Sequence, residues 1–131
     1  FTSTLQVGTR WPAHATVIGQ YLLSSLPENE VRQRYSKFQD WKSFSERTPK
    51  NLKELLARLD LVREQKFMVS WGHFNHDMAA CAAPIIKQSK QEMVAVLSVS
   101  CPLSTYDENV FKDEIANLVT ASANKISKFI Y

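Results

Sequence analysis

Apolar residues recur at the helical period in the first half of the chain. The first helix is predicted over residues 13–26, because four apolar positions there lie three or four residues apart: Ala15, Ile18, Leu22 and Leu26. A second helix is expected from Pro27 to about Asp40, where Glu30 and Arg34 stand one turn apart and can form an ion pair. The chain is therefore expected to begin with two consecutive helices.

A third helix is predicted after a connection without regular spacing. Residues 41–48 show no clear period of apolar positions, which indicates a surface connection. Thr48 is expected to cap the following helix, with Pro49 in its first position, where the missing amide donor does no harm. The buried stripe of this helix is predicted to consist of Leu52, Leu55, Leu56, Leu59 and Val62.

The second half of the chain changes to the pattern of strands. Short runs of apolar residues predict strands over residues 67–71, 78–86 and 93–100. The polar residues 87–92 between the last two strands indicate a hairpin, and therefore antiparallel pairing. The segment before Gly8 is expected to be a further strand.

A long final helix is predicted after the strands. Thr105 and Glu108 have the spacing of a capping box at its start. Its buried stripe is predicted to include Val110, Ile115, Leu118, Val119, Ile126 and Phe129. Helices and antiparallel strands that are segregated in this way predict the α+β class, with one sheet covered by helices.

Composition places these elements in one domain. A chain of 131 residues that is 44% hydrophobic and 22% charged can build a single core. The sequence has no apolar run of the roughly 18 residues that a membrane-spanning helix needs. It opens at Phe1 without the basic segment of a signal peptide, and the missing start Met suggests a trimmed chain.

Charge and glycine content argue against nucleotide and nucleic-acid binding by these residues. The net charge is only +3, and the basic residues between Arg32 and Lys66 alternate with acids, a pattern that favours solvated helix faces over a nucleic-acid groove. The three glycines lie far apart, whereas a phosphate-binding loop needs clustered glycines. Enzymes with a Walker loop or a dinucleotide fingerprint are therefore excluded.

Few residues suit catalysis or metal binding. His73 and His76, with Cys81 close behind, are ligand types for zinc, but they lie across a predicted turn and are interpreted as surface histidines. Cys81 and Cys101 stand in apolar runs, which favours buried free thiols in a reducing compartment, the cytoplasm. We therefore expect no catalytic residue, no metal and no cofactor.

Three serines interrupt the apolar strands. Ser98 and Ser100 share one strand face, and Ser70 interrupts the first strand in the same way. A buried hydroxyl without a partner costs roughly 1–3 kcal/mol, so each serine needs a hydrogen bond. The serines either bond to neighbouring backbone or water, or converge on a polar ligand in an apolar pocket, and their spacing leaves both interpretations open.

Three motifs resemble, in order, the effector domain of the IclR family of bacterial transcriptional regulators. Residues 8–23, GTRWPAHATVIGQYLL, resemble the family pattern G-x-x-x-P-x-H-x-T-A-x-G-K-A-x-L. Residues 82–85, AAPI, and 96–102, VLSVSCP, resemble its A-A-P-I/V and A-L-S-V-S-G-P strands, and residues 117–129 look like its closing helix. The resemblance identifies residues 1–131 as an N-terminally truncated effector-binding domain.

The resemblance implies a GAF-like α+β fold that binds a small organic or aromatic carboxylate. In the family the carboxylate lies at backbone amides that open the first helix, two serines contact the ligand, and further positions line the pocket. The matching ligand-binding residues here are Trp11, Val17, Ile18, Ser70, Met78, Ala80, Ser98 and Ser100. The implied partners are the effector, further copies of the chain in a homodimer or tetramer, and DNA, bound only through an N-terminal winged helix-turn-helix domain that is missing here.

Departures from the family pattern define the expected pocket. Ser70 stands where members often carry an acidic residue, Gln20 replaces the usual Lys, and Cys101 replaces the Gly before Pro102. A pocket with hydroxyls and no charge at these positions suits an aromatic or short apolar carboxylate better than a sugar acid. Two alternatives remain open: a GAF-like redox enzyme that uses Cys81 or Cys101, and an oligomerisation module with a degenerate pocket.

Overall fold

A three-stranded antiparallel sheet forms the centre of the computed structural model, which describes residues 6–131. The strands are β1 (Met68–Trp71), β2 (Met78–Lys87) and β3 (Glu92–Pro102), in the order β1-β2-β3. The predicted hairpin joins β2 to β3, with Gln91 at a φ of 50° in its turn. All three predicted strands are confirmed; the strand expected before Gly8 falls largely on residues 1–5, which lie outside the described residues.

Four helices accompany the sheet, so the α+β class is confirmed. The first three are α1 (Val17–Ser24), α2 (Glu28–Tyr35) and α3 (Leu52–Arg63). The closing helix, α4, is continuous through an α-helical turn, a π-helical segment and a long α-helical segment: Glu108–Val110, Phe111–Ile115 and Ala116–Ser127. Within residues 6–131, no helix combines the length and the apolar character needed to cross a membrane.

The sheet packs its two faces against different helices. Alternate residues of β2 point to opposite faces. On one face Ala79, Cys81, Ala83 and Ile85 form a core with residues of α4, which are Phe111, Ala116, Val119 and Ala123. On the other face Ala82 packs with Tyr21 of α1 and Val62 of α3. We call these the α4 face and the α1 face.

A separate cluster joins the first three helices. Leu55, Leu56 and Leu59 of α3 pack against Leu23 of α1 and Val31 of α2. The predicted stripe of α3 is therefore buried except for Leu52, which is partly buried, and the predicted Glu30–Arg34 ion pair is present at 2.9 Å. This cluster holds α1 from the side that does not touch the sheet.

The predicted stripe of the first helix is wrong. Its buried residues are Gly19, Gln20, Tyr21 and Leu23, while Leu22 is exposed. The cause is that α1 lies between the sheet and α3, so burial comes from two sides and does not follow one stripe. The helix also begins later than predicted, at Val17, because Thr16 caps it with an extended backbone.

Two predicted helix caps are replaced by neighbouring residues. Asn51, not Thr48, caps α3: its side-chain oxygen accepts a hydrogen bond from the Glu54 amide at 2.9 Å. Thr48 instead accepts bonds from two amides of the preceding turn, both at 3.1 Å. Asp107, not Thr105, caps α4 and accepts from the Asn109 amide at 3.0 Å.

The predicted stripe of α4 is displaced. Val119 is buried as expected, but the fully buried aromatic residue is Phe111, and Leu118 and Phe129 are exposed. The π-helical segment explains the displacement, because its wider turn changes the face that the following residues present relative to a regular α-helix. The hydroxyl of Ser127 ties the end of this helix to the sheet, accepting from the Ile86 amide at 3.0 Å.

Candidate functional site

The α1 face of the sheet carries the predicted serines. Antiparallel register aligns Ser70, Ala80 and Ser100 in one row across the three strands, and aligns Ser98 with Ala82 in the next row on the same face. Neighbouring strands lie about 4.8 Å apart, so Ser70 and Ser100 are separated by the width of β2. Ala80 of β2 lies between them, while Ala82, in the next row, is covered by Tyr21 and Val62.

The start of α1 presents free amides beside this face. Thr16 accepts a hydrogen bond from the Gly19 amide at 3.1 Å and, through its carbonyl, from the Gln20 amide at 2.9 Å. The amides of Val17 and Ile18, in the first turn, have no acceptor among the residues that the structure describes. Together with the helix dipole, two free amides favour an anion at this end of the helix.

A cleft of about 390 Å³, its open mouth included, lies at the start of α1. It is bounded by α1, the loop of residues 45–48, α3 and β1. The side chains and backbone that line it are those of Ala15, Val17, Gln20, Ser45, Arg47, Thr48, Arg58, Met68, Val69, Ser70 and His73. Of the eight predicted ligand-binding residues, Val17 and Ser70 line this cleft, and Ser70 is only 7% exposed.

The other six predicted residues lie outside this cleft. Ile18 packs in the cluster between α1 and the sheet. Ala80 and Ser98 are half-buried on the α1 face, and Ser100 is exposed. The remaining two are Met78, the first residue of β2, and Trp11, which precedes α1. Trp11 is 45% exposed and contacts Phe74, with ring centroids 5.5 Å apart.

Three basic residues of the cleft were not predicted as site residues: Arg47, Arg58 and His73. Arg58 is half-buried on α3 and donates a hydrogen bond to the backbone carbonyl of Arg47 at 2.8 Å. Burial lowers the pKa of Arg58, and so does the charge of Arg47, while Glu54 opposes the shift. The partial burial of Arg58 could have been predicted, because Arg58 lies among the buried leucines of α3, one position before Leu59, and not on the outer face.

His73 also belongs to the cleft and is not a freely solvated turn residue. It is half-buried, and its pKa is lowered by burial first and then by the charges of Arg47, Lys112 and Arg58, with Glu108 opposing. His76 is exposed. Within residues 6–131 no three potential ligands come together as a metal site. The cleft is therefore basic as well as hydroxyl-lined.

His14 is buried in an aromatic cluster just before α1. It precedes α1 and is 1% exposed, with its ring edge-on to Phe38 and Trp41 at centroid distances of 5.4 and 5.3 Å. Its Nε2 has no hydrogen-bond partner in the described part of the chain. Burial lowers the pKa of His14, while the backbone of Lys42 and the charge of Asp40 oppose the shift.

The two cysteines lie on the opposite, α4 face of the sheet. Both are free thiols: Cys81 is buried and Cys101 is half-buried. Burial raises the pKa of Cys81 to about 11 and also raises the pKa of Cys101. A reactive thiol needs a lowered pKa and solvent access, so neither residue has the surroundings of a redox nucleophile.

Comparison with known proteins agrees with this architecture. Residues 1–128 match the family model described as the bacterial transcriptional regulator IclR C-terminal domain. The HTH-type transcriptional regulator KdgR of Escherichia coli (strain K12) is 32% identical over 122 residues, which cover 93% of this chain and 45% of the relative. The chain thus spans less than half the length of that relative; for KdgR of Dickeya chrysanthemi, 30% identical, it covers 38%.

Two solved structures illustrate the similarity. The crystal structure of the E. coli KdgR C-terminal domain aligns with a TM-score of 0.73 and 30% identity, over 92% of this chain and 72% of that one. The inducer-binding domain of the transcription factor PobR from Acinetobacter, a double mutant in complex with 3-hydroxybenzoic acid, aligns with a TM-score of 0.79 and 24% identity, over 94% and 69%. The chain belongs to the IclR family of bacterial transcriptional regulators and corresponds to the family's C-terminal, effector-binding domain.

Proposed function

We propose that this domain binds a small organic or aromatic carboxylate between the start of α1 and the serines of the sheet. The observation that carries the proposal is the pair of free first-turn amides, Val17 and Ile18, beside a sheet face that bears three serines. Burying an anion is favourable only where hydrogen-bond donors replace its water. Amides at a helix N-terminus supply such donors without any charged side chain.

The proposed contacts give each predicted residue a role. The carboxylate oxygens accept from the two α1 amides, and the hydroxyls of Ser98 and Ser100 donate to the ligand from β3. Ser70 supplies a further hydroxyl from β1. The small side chain of Ala80 lies between Ser70 and the serines of β3 and does not obstruct the ligand. Trp11 and Met78 form the apolar edge of the site. The solved PobR domain with 3-hydroxybenzoic acid supports a ligand of this chemical class.

We propose that ligand binding changes the self-association of the domain and thereby changes DNA binding. A ligand shifts an equilibrium between two states only by binding one more tightly than the other. In this proposal the two states differ in the geometry of the dimer or tetramer that the domain forms. DNA binding belongs to a winged helix-turn-helix domain of a cytoplasmic regulator, outside these residues.

The serines provide the test. A thermal-shift panel of 3-hydroxybenzoate, 4-hydroxybenzoate and pyruvate identifies a binding carboxylate, whose affinity is then measured by calorimetry. Ser98→Ala with Ser100→Ala should weaken binding at least about tenfold, since hydrogen bonds to charged groups are worth roughly 1.5–3 kcal/mol each. Ser122→Ala, an exposed serine of α4, is the matched control. Equal affinity in the wild type and the double variant would remove the serines from the site.

A further inference from the structure

The cleft beside α1 contains two arginines and no acid. Arg47 and Arg58 both line it, and no Asp or Glu of the described residues does. In the described part of the chain, neither arginine forms an ion pair within 4.0 Å. The basic residues that do form such pairs are Arg32, Arg34, Arg63 and Lys112. The cleft therefore holds positive charge that the protein itself does not neutralise at close range.

The fold keeps the two charges together. The guanidinium of Arg58 donates to the Arg47 carbonyl at 2.8 Å, which fixes it at the loop end of the cleft. His73, from the segment after β1, also lines the cleft. Glu54, the acid that acts on Arg58, accepts a hydrogen bond from the Lys50 amide at 2.7 Å. It lies with Glu46 in a neighbouring surface groove, which both arginines also line. Partial burial of like charges costs free energy, and a bound anion offsets that cost.

The arrangement provides two places for anionic groups in one cleft. The free amides at Val17 accommodate one carboxylate, and a guanidinium binds a second in a bidentate manner. The enclosed part of the cleft is small, about 50 Å³, so most of a ligand that spans both places lies in the open mouth of the cleft. A ligand with a single carboxylate fills one of these places and leaves the other to water.

We propose that the effector is a dianion, such as a small dicarboxylate, whose second acid group binds Arg58 and Arg47. This inference rests on the proposed function, because the first carboxylate is the one assigned to the α1 amides. It also revises the expectation of a pocket without charge: the positions that match the family pattern are uncharged, and the charge comes from α3 and the loop of residues 45–48.

Paired ligands that differ only in the second acid group test the proposal. Benzoate is compared with 1,3-benzenedicarboxylate, and butyrate with succinate, by calorimetry at pH 7.5. The dicarboxylate of each pair should bind at least about tenfold more tightly, as expected for an added charge-assisted hydrogen bond. A monocarboxylate that binds as tightly as its dicarboxylate partner overturns the dianion assignment and leaves the carboxylate site intact.

Variants of the two arginines test whether the preference for dicarboxylates over monocarboxylates arises in the cleft. Arg58→Gln should bring the ratio of dicarboxylate to monocarboxylate affinity close to one, because it weakens dicarboxylate binding the most, and Arg58→Lys should keep part of the preference. Arg47→Gln, at an exposed side chain, gives the same test if Arg58→Gln does not fold. Lys53→Gln removes the same charge from the exposed face of α3 and is the matched control.

The outcomes separate the two proposals. A loss of preference in Arg58→Gln but not in Lys53→Gln supports the dianion site. An equal loss in both variants indicates long-range charge alone and overturns it. Failure of all four ligands to bind the wild type contradicts the carboxylate function itself, together with the inference that rests on it.

Discussion

The two faces of the sheet differ in what they bury. The α4 face is closed by apolar side chains of the sheet and of α4, with Phe111 completely buried at its centre. The α1 face combines a few apolar contacts with serine hydroxyls, free amides and a cleft that contains Arg47 and Arg58. One face is packed like a protein interior, and the other is left partly open and polar.

This difference indicates that the α4 face contributes mainly to stability, whereas the α1 face has polar groups available for binding. Apolar burial stabilises the fold in proportion to the area removed from water, and the α4 face contains the larger apolar cluster of the two faces. Polar groups on the α1 face gain little for folding but are available to a ligand. Substitutions on the two faces should therefore separate into those that change the free energy of unfolding and those that change ligand affinity.

The largest expected effect is on the α4 face. Phe111→Ala removes the largest completely buried side chain and leaves a cavity, which should lower the free energy of unfolding by roughly 3–5 kcal/mol. Urea unfolding followed by circular dichroism measures the change. The variant that still folds should bind the carboxylate with near wild-type affinity.

Leu118→Ala is the matched control for Phe111→Ala. Leu118 belongs to the stripe predicted from a regular helix, but it is 63% exposed because the π-helical segment precedes it. Its replacement should change the free energy of unfolding by no more than about 0.5 kcal/mol. If Leu118→Ala proved the more destabilising of the two, the packing of α4 described here would be contradicted.

A smaller effect is expected on the α1 side, where stability should depend on pH through His14. The folded pKa of His14 lies below its unfolded value of about 6.5, because burial disfavours the charged ring. The folded state thus binds fewer protons, so the contribution is complete above about pH 6.5 and is lost as the pH falls below it. For one proton the loss is at most about 1.4 kcal/mol per pH unit.

His14→Phe removes this titration and keeps an aromatic ring among its aromatic neighbours. Urea unfolding at pH 7.5, 6.5 and 5.5 should show a smaller loss of stability in the variant than in the wild type. His73, whose pKa is also lowered, is present in both proteins and cancels in the difference. Identical pH dependence in the two proteins would exclude His14 as the source.

The fold was largely predictable where the signal is local. The three strands follow from apolar runs, and the α3 stripe follows from its leucines, because burial there comes from one side. The stripes of α1 and α4 were not predictable from the helical period. The first helix is buried from two sides, and the last contains a π-helical segment that no residue type announces.

The candidate site was predictable only in part. Residue pattern and family resemblance indicated Ser70 and Val17, which line the cleft, and Ser98, which lies on the same face. Arg47 and Arg58 were not predicted as residues of the site, because they belong to a charge-rich segment whose pattern indicates a solvated surface. Only the packing of α3 and its preceding loop against β1 brings these side chains to the start of α1.

The α1 amides provide the most direct test of the proposed carboxylate site. Two-dimensional amide NMR of the domain, titrated with 3-hydroxybenzoate and with 1,3-benzenedicarboxylate, reports on each backbone N–H. A carboxylate bound at the start of α1 should cause saturable downfield shifts of the Val17 and Ile18 amide protons. The Val119 amide of α4 should stay unchanged and is the internal control. Saturation of binding without any shift of the Val17 and Ile18 amides would contradict a carboxylate site at the start of α1.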